Sequence, residues 1–179
     1  MKKIIISLLI VISFMTGSVF AYNKNIELNT EEYINLINTS ISKLNAKTES
    51  KEKATIGTIL LHGADEGYII PSIKNDIALK EGITELINNI KDAKIYNKKL
   101  QSKHEKFISE LNSLTELVNS SIKCKTKILS SKDRNLTKCQ RILKEDDKKV
   151  QEVNKKIDIV NNLYKEINNF KSSAKNPNM

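Results

Sequence analysis

The sequence predicts an all-α protein: an elongated helical bundle built on a long antiparallel helical hairpin (about 83–130 and 132–170), with two shorter N-terminal helices packed on it. Three observations lead there. Beyond residue 21 the glycines are few (57, 63, 67 and 82) and the prolines are Pro71 and Pro177, so little breaks a helix. Apolar residues recur at alternating spacings of three and four from Ile83 to Val118, and again from Leu136 to Ile167. Between the two stripes, Ser130-Ser131-Lys132-Asp133 reads as a polar turn.

The first element in the chain is a targeting segment. Lys2 and Lys3 precede an apolar run from Ile4 to Met15, and Val19-Phe20-Ala21 offers a signal-peptidase site. Such a run is short of the roughly 20 residues that a spanning helix needs. Residues 1–21 are therefore expected to be a cleaved signal peptide, and the protein to be exported to the periplasm, the cell surface or the medium. Removing 21 of 179 residues leaves 158, enough for one domain over 22–170 and a polar tail over 171–179. No transmembrane span is expected in the remainder.

Thr30, followed by Glu31 and Glu32, reads as the cap of a first helix over 30–46, with Tyr33, Leu36, Ile37, Ile41 and Leu44 on its apolar face. A second apolar segment runs from Ala54 to Leu61 and stops near Gly63. Pro71 is placed to open the next helix.

In the hairpin, the first stripe runs Ile83, Leu86, Ile90, Ala93, Asn97, Leu100, His104, Phe107, Leu111, Leu114 and Val118, then drifts toward Cys124. The second places Cys139, Asp146, Ile157, Val160 and Tyr164 on its seam. Cys124 and Cys139 lie symmetrically about the turn, at a height of about 11 Å from its tip. In an oxidising compartment they are expected to form a disulfide, worth about 3 kcal/mol for a loop of this size. On that symmetry, positions whose numbers add to about 263 share a height. Phe107 then faces Ile157, His104 faces Val160, Leu100 faces Tyr164, and Asp146 faces Leu117. A charged seam residue of this kind reads as a partly wet position or a register device rather than an active site.

The full chain carries a formal charge of +9, and the excess is concentrated. Residues 22–122 hold thirteen basic and fourteen acidic residues, whereas 123–156 hold twelve basic and five acidic. Lys123, Lys127, Lys132, Arg134, Lys138, Arg141 and Lys144 are the candidate partner-binding residues at the hairpin tip. Such a patch attracts an anionic polymer, an acidic protein or an anionic envelope component. Nucleic acid is not expected, given export and the lack of aromatic residues in the patch.

Chemistry is sparse. No phosphate loop, nucleophile elbow or metal-binding helix is present, and no cofactor is implied. His62 beside Asp65 and Glu66 is the one constellation that resembles a metal or general-base site. Three functions follow, in descending order: an exported non-enzymatic surface or secreted binding protein of adhesin or antigen type; a periplasmic coiled-coil chaperone or structural envelope protein, able to form a homo-oligomer; and a metal-dependent enzyme around His62.

Overall fold

A computed structural model of the chain describes residues 27–49, 69–130 and 136–173; for residues 49, 136–143 and 171–173 it describes the backbone alone. Among the described residues, the protein is all-α apart from one two-residue ladder. The described elements are β1 (Glu27–Leu28), α1 (Thr30–Glu49), α2 (Ile70–Ile90), β2 (Lys94–Ile95), α3 (Lys98–Ser130) and α4 (Leu136–Ser173). The segment from Ala54 to Leu61, Gly63, and His62 with Asp65 and Glu66 lie outside the described residues, as does the targeting segment.

Helix α1 is opened by Asn29 rather than Thr30. Asn29 Oδ1 accepts hydrogen bonds from the Glu31 and Glu32 amides at 3.0 Å, and Glu32 Oε2 accepts from the Asn29 amide at 2.9 Å. This reciprocal pair satisfies amides that the first helical turn would leave bare. Pro71 sits in the first turn of α2, where its missing N–H costs nothing.

The first hairpin arm does not begin at Ile83. The stripe is cut at residues 91–97, and the arms are α3 and α4. Lys91 closes α2 with its amide on Ile87 O (2.8 Å), and the Ala93 amide reaches Ile90 O (3.0 Å). β2 then pairs in parallel with β1, Glu27 opposite Lys94 and Leu28 opposite Ile95. Asn97, assigned to the seam by its spacing, is exposed and caps α3: its Oδ1 accepts from the amides of Lys99 (3.1 Å) and Leu100 (3.2 Å). Asparagine competes for backbone groups and so favours a cap over a helix interior.

The break reverses the chain. The start of α2 lies beside the end of α3, shown by Asp76 against Lys125 and by Lys80 Nζ donating to Asn119 Oδ1 at 3.2 Å. β1 joins the start of α1 to the end of α2, while Leu44 lies against Gly82 farther along, so α1 runs antiparallel to α2. Helices α3 and α4, of 33 and 38 residues, extend roughly 50 and 57 Å. The core gathers one stripe from each helix: Tyr33, Ile34 and Ile37; Ile83, Leu86 and Ile90; Leu100, Phe107, Leu111 and Val118; Ile157, Leu163 and Ile167. No helix among the described residues is long and apolar enough to cross a membrane.

The hairpin register also differs from expectation. By the symmetric turn, Lys103 would face residue 160, Glu110 residue 153 and Ser121 residue 142. Their partners are Glu166, Lys156 and Asp146. Each is displaced by three to six positions because α3 runs to Ser130 and α4 begins at Leu136, which centres the turn later than the cysteine midpoint.

The displacement bears on the disulfide. A shift of about four residues adds about 6 Å of axial offset between positions 124 and 139. Cys124 is a free, buried thiol, with its Sγ 3.6 Å from Glu145 Oε1. The side chain of Cys139 lies outside the described residues.

Gly82 marks a close approach of α1 and α2. A Cβ built there overlaps Leu44 Cδ1, in a position where Leu44 is itself buried. Gly82→Val is expected to separate the two helices and lower stability by about 1–3 kcal/mol through overpacking, measured by urea denaturation. Gly82→Ala should cost less, since the rotation of one leucine methyl can accommodate it and alanine favours the helix.

Candidate functional site

Helix α3 keeps strict three-and-four spacing to its end. The inward positions run Leu111, Leu114, Val118, Ser121, Lys125 and Ile128, and all six are buried. Lys125 therefore occupies the core, 5% exposed, instead of the cationic surface. Its Nζ lies 2.6 Å from Asp76 Oδ2 on α2 and 3.8 Å from Asp146 Oδ2 on α4. Ser121 Oγ, one turn earlier on α3, donates to Asp146 Oδ1 at 2.9 Å. Three helices thus converge on one ammonium and two carboxylates.

The sequence marks Asp146 as a seam acid, and the structure assigns it a partner other than Leu117. It missed Lys125 and Asp76. The signal for Lys125 was present: continuing the alternation beyond Val118, without the drift to Cys124, puts a lysine on the seam of α3 near the seam aspartate of α4. Nothing local marks Asp76, because its role depends on α2 folding back over the hairpin.

Burial raises the Asp146 carboxyl above its ordinary value; Lys125 and the Ser121 hydroxyl pull it down, while Asp76 and Asp147 add to the rise. One ammonium against two carboxylates leaves a surplus of negative charge inside, and desolvation is the larger influence. Ser121 has no opening for a substrate, at 2% exposure and with its proton on Asp146. The cluster ties α2, α3 and α4 together at one level, the kind of contact by which buried polar groups in helical seams set register.

A second polar pair lies toward the start of α1. Tyr33 OH is 2.7 Å from His104 Nδ1, the rings meet edge-on with centroids 5.3 Å apart, and both residues are buried. His104 also hydrogen bonds to the Lys91 backbone, an interaction that favours its charged form and so identifies a carbonyl acceptor. Which of Tyr33 OH and His104 Nδ1 donates is set by the imidazole tautomer. Burial nonetheless holds the imidazole below its ordinary value and pushes the phenol up.

The surface around the charge cluster is cationic. Lys123, Lys127 and Lys144, three of the candidate partner-binding residues, are exposed. Lys132 and Arg134 lie outside the described residues; Lys138 and Arg141 fall within α4, with side chains not described. Among the described residues, no group of three or more His, Cys, Asp or Glu could hold a metal ion. Compared with models of known families, with curated proteins and with solved structures, the chain matches none.

Proposed function

We propose that the chain is an exported, non-enzymatic helical binding protein whose basic hairpin tip contacts an anionic partner. The supporting observation is how charge is sorted between the core and the surface. In the tip half, Asp76 and Asp146 turn inward onto Lys125, while Lys123, Lys127 and Lys144 turn outward. Two acids are taken from the surface at the expense of one base, so the exterior is more positive than the composition implies. The export signal puts that surface where sulfated, phosphorylated or acidic envelope components are found.

The chaperone or coiled-coil reading needs an apolar seam left bare. Here α1 and α2 lie over the hairpin, and the exposed large apolar side chains among the described residues are Ile77, Tyr96 and Ile159, on different elements. That distribution favours the binding reading.

Retention on a heparin column tests it. The triple variant Lys123→Glu, Lys127→Glu, Lys144→Glu should elute at clearly lower salt than the wild-type chain, with an unchanged far-UV spectrum. Equal elution salt for the two would sink the tip as a binding surface.

A further inference from the structure

The three charged members of the buried cluster share a local pattern. Lys125 is flanked at two residues' distance by Lys123 and Lys127, Asp146 by Lys144 and Lys148, and Asp76 on one side by Lys74. In a helix, residues two apart point about 200° apart, toward opposite faces. Since Asp76, Lys125 and Asp146 meet at the centre, these five lysines must project outward, and all five are exposed. The central contacts also set their height: Asp76 at 2.6 Å and Asp146 at 3.8 Å from one ammonium put the three helices in register there. The lysines consequently form a collar that faces outward from α2, α3 and α4 in different directions.

We infer that this collar engages a flexible linear polyanion that passes over all three helices, with Lys74 and Lys148 as binding residues beside those of the tip. The inference deepens the proposed function and rests on it. A folded acidic protein presents one surface and reaches the lysines of one face or two adjacent ones. A flexible chain of sulfates or phosphates can follow the collar and neutralise lysines on every face, driven by counterion release. The collar lysines carry no aromatic residue among them, so stacking contributes nothing, and spacing of charge alone decides the fit. The 53 positions that separate Lys74 from Lys127 in sequence vanish because α2 folds back along α3.

The test measures the salt dependence of binding by the full chain to two probes, heparin and inorganic polyphosphate. Lys74→Gln, Lys123→Gln and Lys148→Gln, one per helix, should each reduce the slope of log K against log salt by about 1. Their thermal midpoints should match the wild type, since all three side chains are exposed. The probe with the tighter wild-type binding identifies sulfate or phosphate as the preferred source, and a tie supports their shared chemistry. The inference is overturned if Lys123→Gln lowers the slope and Lys74→Gln and Lys148→Gln leave it unchanged: the partner would then sit on one face, and the proposed function would survive. Loss of effect in all three, with heparin retention of the tip triple variant also equal to wild type, would overturn both.

Discussion

Replacing Lys125 with methionine should destabilise the fold by about 3–5 kcal/mol, the characteristic cost of removing one partner from a buried ion pair. The lysine side chain is 6% exposed and its partners 22% and 9%, so water provides little screening once the ammonium is gone. Asp76 and Asp146 would then confront each other across α2 and α4 with Ser121 as the remaining donor. Methionine matches the stem of lysine, so the loss reports charge and not volume. Converting the two aspartates to leucine in the same variant should restore most of the stability, because an apolar seam of similar volume often equals a buried ion pair. Chemical denaturation midpoints of the single and triple variants decide the matter. A Lys125→Met protein within about 1 kcal/mol of wild type would mean the cluster is hydrated and does not clamp the helices. Acid affects the cluster in the favourable direction. The Asp146 carboxyl is raised in the folded chain, so its contribution is present at low pH and is lost as pH rises through the raised value.

How this cluster was overlooked shows what a heptad stripe encodes. Spacing of three and four reports which positions are buried, and it did so from Ile83 to Val118: every apolar residue named on that stripe is buried. It does not report whether the helix is continuous. Ala93 and Ile95 are both buried within the break, where the period is two, while Ala93 also continues a plausible helical stripe. No glycine or proline marks residues 91–97; the reversal is encoded in Asn97, whose capping role is indistinguishable by spacing from a polar seam position. The second departure lies in the hairpin register. Taking Cys124 and Cys139 as level fixed the centre of the turn, whereas Lys103, Glu110 and Ser121 meet partners three to six positions farther along α4 than that centre allows. A rule based on charge would have done better, since the seam lysine and seam aspartate find each other only in the observed register.

At the other polar pair, Tyr33→Ala should cost about 3–5 kcal/mol, because a fully buried aromatic side chain leaves a cavity that helices α1 and α3 cannot both close. Tyr33→Phe separates the hydroxyl from the ring. It should cost about 1–3 kcal/mol by leaving His104 Nδ1 buried without its hydrogen-bond partner. The pH profile distinguishes this pair from simple packing. His104 is held below its ordinary value of 6.5 by burial, with Glu105 and the Lys91 backbone opposing. Above 6.5 neither the folded nor the unfolded chain carries the proton, and the histidine contributes no pH dependence. As pH falls below 6.5 the unfolded chain takes up a proton that the folded chain refuses, so stability is lost until the depressed folded value is reached. Asp146 acts in the opposite sense nearer its own ordinary value of 3.8, so the two residues bracket an interval in which stability first falls and then partly recovers. Thermal midpoints from pH 7.5 to 3.5 for the wild type and for His104→Gln should show the first limb flattened in the variant and the second retained. An unaltered first limb would show that His104 takes up its proton in the folded state as readily as in the unfolded chain, and that the Tyr33 hydroxyl does not hold it neutral.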